Sequence, residues 1–296
     1  EFTILELYVS YKDYHWMMEM TEQLLEKVSI DSTGNTKVKV GDNTIDFKAP
    51  YERITIYDAI KKFTGIDISN MDESMLRNTA KDLNIEIDDT MGKGKLIDSI
   101  FGDKCEPNFI QPTFIMDYPK EMSPLTKVHR ENNDLTERFE LIVNGKEIAN
   151  AYSELNDPID QKERFEKQLE LSKKGDQEAG EFIDYDFLRA LEYGMPPTSG
   201  IGIGIDRLVM LMTDNLSIQE VIFFPQMRPE KKKISMNESE KLVYENISKE
   251  NQLIGVIKNK IEISNKAWDK AIKSLRKLEL IKVEKIENDI YISKIN

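Results

Sequence analysis

The sequence predicts a mixed α+β fold over residues 1–230, followed by a small basic domain with a winged-helix-like pattern over residues 231–296. Three observations carry this prediction. Asn144-Gly145 separates two apolar runs, Phe139–Val143 and Lys146–Leu155, and Asn-Gly in that position is a strong type I′ hairpin signal. Gly200-Ile201-Gly202-Ile203-Gly204-Ile205 alternates with the two-residue period of a strand before passing into a helical pattern. The charge also changes sign along the chain. Residues 231–296 hold 15 Lys+Arg against 10 Asp+Glu (net +5), whereas residues 1–230 hold 26 against 44 (net −18).

Taken in order, Glu1–Val9 alternates like a strand with both faces partly apolar, and Lys12 to Ile30 reads as an amphipathic helix. Thr36–Phe47 predicts a hairpin turning at Gly41-Asp42-Asn43. Tyr57 to Phe101 predicts three or four short helices broken at Gly65 and Gly92–Gly94, an acidic helical insertion within about 31–111. Strand character returns at Pro112–Met116, and the Asn-Gly hairpin follows. Helices are expected near Ile159–Lys174 and over Tyr185–Tyr193, the second stopped by Gly194 and Pro196. After the glycine run come a helix at Leu208–Met212 and a last strand at Val221–Pro225. Lys231-Lys232-Lys233 marks a domain boundary. Beyond it, helices near Glu238–Lys249, Leu253–Ile261 and Asn265–Leu278 precede a hairpin turning around Asn288.

Composition narrows the function. With 40% hydrophobic residues the chain expects a packed core. No stretch approaches the ~18 apolar residues of a membrane span, and no signal-peptide pattern is present, so the expected compartment is the cytoplasm. One cysteine, Cys105, and two histidines, His15 and His129, exclude an internal disulfide and any cysteine- or histidine-rich metal site.

The chemistry concentrates in the strands. Alternation puts Gly200, Gly202 and Gly204 on one face, bare backbone that a flat ligand can approach, with isoleucines on the other. Arg207 opens the next helix, where its guanidinium suits a phosphate. The same pattern is also that of a strand packed on another backbone, with Arg207 in a structural ion pair. Across the two-residue turn Glu147 should face Ile142, making Glu140 its diagonal neighbour. Two such acids either sit on a solvated face or share a cation, and hard oxygen ligands suit Mg²⁺. Asn150, Tyr152 and Glu154 share a face, as do Phe2, Glu6 and Tyr8, and an acid framed by aromatics fits a ligand ammonium. Glu147 is out of phase with Asn150, Tyr152 and Glu154. One pocket lined by all four therefore requires a bulge near Ile148–Ala149.

These residues carry a resemblance. Gly200–Arg207 with Leu208-Val209-Met210-Leu211, and Phe223-Phe224-Pro225 with Met227-Arg228-Pro229, resemble motif 3 of class II aminoacyl-tRNA synthetases. Glu1–Tyr8 resembles the second strand of motif 2. Arg138–Asp157 and Pro112–Pro124 are similar specifically to the lysine enzymes. The resemblance covers residues 1–230 and implies an antiparallel sheet flanked by helices. It further implies activation of L-lysine by ATP to lysyl-adenylate and transfer to tRNA(Lys), with Mg²⁺ as cofactor. By that resemblance Glu140 and Glu147 hold Mg²⁺, Arg207 contacts the γ-phosphate, and Phe2 stacks on adenine beside Gly204. Glu154 with Tyr8 receives the lysine ammonium. Glu6, Asn150, Tyr152 and Gly202 complete the amino-acid pocket. An acid at Glu154, where an aspartate pocket would need a cation, favours a positively charged substrate on physical grounds too.

The family's motif 1, the first motif 2 strand with its α-phosphate arginine, and the anticodon-binding barrel find no counterpart in this sequence. The expectation is therefore a fragment with little or no ligase activity alone, from a full-length protein that forms a homodimer. Two other readings stand at this stage. One is a synthetase-like paralogue that lysylates a protein. The other is a non-catalytic nucleic-acid-binding protein acting through the tail, whose third helix repeats Lys266, Lys270, Lys273 and Lys277 at near-helical spacing while acids such as Glu262, Asp269 and Glu279 lie close by.

Overall fold

In the computed structural model, which describes residues 2–173, 175, 180, 182–226, 236–278, 280–286 and 289–295, the chain forms two compact units, Glu1–Gln226 and Met227–Asn296. The Met227-Arg228-Pro229 segment, the Lys231-Lys232-Lys233 run, Glu279 and the turn at Asn288 lie outside the described residues.

The first unit is organised by a six-stranded sheet. Its strands are β1 (Ile4–Ser10), β4 (Glu52–Thr55), β5 (Thr113–Met116), β6 (Arg138–Val143), β7 (Lys146–Ser153) and β8 (Thr198–Gly204), in the order β1-β8-β7-β6-β5-β4. All neighbours are antiparallel except β4 and β5, which run parallel. β2 (Lys37–Val40) and β3 (Asn43–Asp46) form the expected hairpin, and Asn144 (φ 52°) and Gly145 (φ 68°) supply the two positive φ values of the β6–β7 turn.

Alternation along the strands decides what each face buries. Phe114, Phe139, Leu141, Ala149, Ala151, Ile201 and Ile203 point to one face. There they meet α1 (Tyr14–Thr33), α7 (Ile205–Thr213) and the β2–β3 hairpin in a core that includes Met17, Met18, Val40, Phe47 and Leu211. Asp13 caps α1 by accepting from the Trp16 N–H, and Gly34 ends it in the left-handed conformation at φ 79°. On the opposite face, Ile115 and Ile142 are covered by α2 (Ile56–Thr64), α3 (Glu73–Asp82) and α4 (Lys93–Lys104), around Ile60, Leu76, Ile97 and Cys105. These helices cover only the β4–β5–β6 side. The same face of β1, β8 and β7 carries glycines and polar groups and faces a cleft.

The segment 31–111 is thus built into the unit: its hairpin joins one core and β4 extends the sheet. α5 (Pro158–Lys173) and α6 (Tyr185–Glu192) follow β7. The strand expected at Val221–Pro225 does not form. Ile218–Glu220 is a 3₁₀ turn, and Phe223 and Phe224 are 93% and 79% exposed. A strand needs a ladder partner, and this apolar run pairs with neither open edge of the sheet, β1 or β4.

The second unit contains α8 (Glu238–Glu245), α9 (Ile254–Lys260) and α10 (Asn265–Lys277). Its three-stranded antiparallel sheet has the order β10 (Ile281–Ile286), β11 (Asp289–Lys294), β9 (Gln252–Leu253). Its core is Val243, Ile247, Ile257, Trp268, Leu275, Ile281 and Ile292. We propose that these three helices and the small sheet form a winged helix.

Candidate active site

Register lays the site out in rows. Glu6 pairs with Gly202, Gly202 with Asn150, and Asn150 with Glu140, so four strands contribute one row across the uncovered face. The adjacent row is Tyr8, Gly200, Tyr152 and Arg138. The glycines make room. A Cβ on Gly200 would collide with the Glu154 carboxylate and lie 2.8 Å from the Tyr8 ring, whereas at Gly202 the nearest atom is Ile4 Cγ2, 3.9 Å away. Gly200 therefore accommodates side chains of the protein itself, and Gly202 leaves open floor.

Glu147 reaches the same face through a bulge. Ile142 pairs with Glu147 and Leu141 with Ala149, which leaves Ile148 as the extra residue, in the segment where the phase conflict required it. Arg207, in the first turn of α7, donates from Nη1 to the Glu147 carbonyl at 2.6 Å and lies 3.6 Å from its Oε2. Phe2, Glu6, Glu147, Asn150, Gly202, Gly204 and Arg207 line a cleft of about 440 Å³. It shares Glu147, Ile148, Arg207 and Ile218 with a neighbouring cleft of about 780 Å³ that also takes in Glu106 and Lys146.

Charge is unevenly satisfied here. Glu154, just past β7, is fixed by its N–H donating to the Thr198 carbonyl at 2.8 Å. Its Oε1 is buried with no hydrogen-bond partner, and burial pushes its pKa up to about 7. Burial, and next Glu154, raise Tyr152 to about 12; Tyr8 is raised by burial and then by Glu6 and Glu154. Burial and then repulsion from Glu140 hold Glu147 above the usual carboxylate range, while Arg207 and Arg138 oppose the shift. Glu106 is raised by burial and then by Glu140. This crowding of carboxylates suits a divalent cation. Among the described residues no group of three His, Cys, Asp or Glu could hold one alone, so Glu140 and Glu147 fit a cation that brings further oxygen ligands with it.

Every residue expected at the site lies on this face or lines its cleft, with Tyr8 and Glu154 meeting over Gly200 at one end and Phe2 and Arg207 at the other. Sequence reasoning missed two contributors, Arg138 and Asp206, and gave Gly200 a different part, open floor for a ligand. Arg138 donates from Nη2 to Glu140 Oε1 and from Nε to Asn150 Oδ1 at 3.1 Å, with its guanidinium 4.5 Å from the centre of the Tyr118 ring. Its place two residues before Glu140 was the available signal, because i and i+2 share a strand face. Asp206 is buried and accepts from the Thr3 N–H, tying the start of β1 to α7. Gly200 makes room for Glu154, a part that only a three-dimensional arrangement reveals.

An open-faced antiparallel sheet, a Gly-x-Gly-x-Gly strand ending at an arginine-bearing helix, and carboxylates gathered opposite them define a class II synthetase core. The chain matches the family described as tRNA synthetases class II (D, K and N) over residues 1–228, and it belongs to that family. It is 62% identical over 286 residues to a lysine–tRNA ligase of Christiangramia forsetii, a match covering 96% of this chain and 50% of the relative. With lysine–tRNA ligases of Porphyromonas gingivalis and Azobacteroides pseudotrichonymphae it shares 69% and 68% identity over 231 residues, 78% of this chain and 40% and 46% of theirs. The chain thus spans half or less of the length of these curated relatives. The Christiangramia match extends through most of the second unit, beyond the end of the family match at residue 228.

Proposed function

We propose that the chain is the adenylate-forming part of a lysine–tRNA ligase. The observation that carries the reading is Glu154: a carboxylate whose Oε1 is buried without a partner, with Tyr8 beside it and Tyr152 within reach of its charge. Such a group is matched by a ligand cation on a flexible stem. A lysine ε-ammonium supplies both the charge and the missing donors. With the ammonium at Glu154, the substrate's α-amino and carboxylate groups would reach the row of Glu6, Gly202 and Asn150. Glu6 would accept from the α-amino group, and the Asn150 amide would orient the carboxylate.

Arg207 and Phe2 would take ATP at the other end of the cleft, the guanidinium on the terminal phosphate and the ring against adenine. Glu140 and Glu147 would hold the Mg²⁺ that accompanies ATP, whose charge offsets that of the phosphate oxygens. The lysine carboxylate oxygen bonds to the α-phosphorus as the bond to the bridging oxygen breaks, and pyrophosphate leaves with that electron pair. The terminal ribose hydroxyl of tRNA then takes the lysyl group and AMP leaves. No side-chain nucleophile is needed; the residues position the reactants and balance charge.

The test is lysine-dependent ATP–pyrophosphate exchange by the chain joined to its upstream coding sequence. Exchange should require lysine, be absent with aspartate or asparagine, and fall at least about a hundredfold in Glu154→Gln. Exchange with aspartate, or none from well-folded protein, would overturn the reading.

A further inference from the structure

The second unit carries a surface that the adenylate chemistry does not use. On α10, Lys266, Lys270, Lys273 and Lys277 are all exposed, while Trp268, Ala271 and Leu275 on the opposite side are buried at 3%, 1% and 0% exposure. At ~100° per residue the four lysines fall within an arc of about 60°, and at ~1.5 Å rise they span about 16 Å in steps of about 4.5–6 Å. Among the described residues none of the four makes an ion pair. By contrast, Lys282 pairs with Glu284 and Lys294 lies 4.6 Å from the centre of the Tyr244 ring. Asp269 lies at the edge of the arc.

We propose that this stripe is a binding face for an RNA phosphate backbone. Four unpaired ammonium groups in a line repel one another, and a linear polyanion relieves that repulsion with release of counterions. An anionic membrane is a poorer match. An interfacial helix inserts its apolar side, and that side of α10 is already packed against Val243, Ile257 and Ile292. The choice of RNA over another polyanion rests on the reading of the first unit as a tRNA-handling core. That core carries a net charge of −18 over residues 1–230, which leaves general attraction of a polyanion to the basic unit. The stripe contacts backbone only, so it adds affinity and orientation without sequence choice.

The experiment titrates the 296-residue chain into fluorescein-labelled unfractionated bacterial tRNA, without lysine or ATP, at NaCl from 50 to 200 mM, following anisotropy. Replacing Lys266, Lys270, Lys273 and Lys277 together by Gln should lower the slope of log affinity against log salt by about 3 and weaken binding at 100 mM at least about tenfold. Arginine at the same four positions should restore both. A charge-matched control, Gln at the exposed Lys37, Lys39, Lys48 and Lys81, should bind like the parent. Near-UV circular dichroism confirms that the variants keep the Trp268 environment. An unchanged slope in the stripe variant, or an equal loss in the control, overturns the proposal. So does parent binding to phosphatidylserine vesicles or polyglutamate as tight as to tRNA. Failure of lysine-dependent exchange bears on the first unit alone and leaves this outcome readable.

Discussion

Glu154 and Gly200 share one volume: the carboxylate lies where a Cβ on residue 200 would have to be, with the Tyr8 ring 2.8 Å from that point. The glycine is therefore required by its neighbours across the sheet. Gly200→Ala should displace Glu154 or Tyr8, lowering stability by about 1–3 kcal/mol in urea unfolding and abolishing lysine binding by calorimetry. Gly202→Ala meets only Ile4 Cγ2 at 3.9 Å and should leave stability unchanged while raising the lysine KM in the exchange assay. Equal stability losses in the two variants would contradict this division of roles.

The proposed lysine site should be linked to protons. In the empty protein Glu154 has a pKa of about 7, above the usual 4.5, because burial penalises its charged form. A lysine ammonium needs the carboxylate, so lysine affinity should rise with pH through 7, and binding at pH 7 should release about half a proton. Calorimetry in buffers of different ionisation enthalpy reads that number directly; zero release would contradict the assignment. The stability sign is opposite. The folded state holds the proton more tightly than the unfolded chain, so this contribution is full below about pH 4.5 and lost as pH rises through 7. Glu154→Gln should therefore stabilise the unliganded protein by about 1–2 kcal/mol at pH 8, after discounting for solvent screening, and by almost nothing at pH 5.

The candidate face was legible wherever local pattern and three-dimensional role coincide. Glycine alternation at 200–204 gave the bare face, and Asn144-Gly145 fixed the register that sets Glu147 opposite Ile142. The phase conflict between Glu147 and Asn150 located the bulge. Legibility ended where a role depends on distant partners. β4 falls in the stretch between the Thr36–Phe47 hairpin and the helices from Tyr57, where the local pattern predicts no element, and is a strand because β5 offers a parallel edge. Val221–Pro225 has strand composition and pairs with neither open sheet edge. Arg138 resembles any half-exposed strand arginine until the fold brings Met122, Ser123, Glu140 and Asn150 to its five donors.

Cys105 provides a local probe of the helical cover. Its thiol is fully buried among Ile60, Ile97 and Phe109, and burial pushes its pKa up to about 12. Reaction with a disulfide reagent at pH 8 should be at least about a thousandfold slower than in the unfolded chain, limited by opening of α2–α4. Ile60→Ala, which leaves a cavity costing about 2–5 kcal/mol, should speed labelling by the corresponding factor while β7 and β8 amides keep their exchange protection. Prompt labelling of the parent would show that these helices do not pack as described.

Arg138 is the counter-charge that lets acids gather opposite the glycine strand. Its guanidinium bonds Glu140, Asn150, the Met122 carbonyl and Ser123 Oγ, and its removal would leave Glu140, Glu147 and Glu106 repelling one another with Arg207 still opposing them at Glu147 and Glu106. Arg138→Met should cost about 3–5 kcal/mol at pH 8, the range for stripping one partner from a buried pair. Arg138 opposes the upward shift of Glu147, so in the variant Glu147 should protonate at higher pH and the deficit should shrink as pH falls toward 5. Millimolar Mg²⁺ should recover part of the loss in Arg138→Met and less in the double variant with Glu147→Gln, because the cation needs both carboxylates. A deficit independent of pH and Mg²⁺ would mean that Arg138 serves packing on Tyr118 alone.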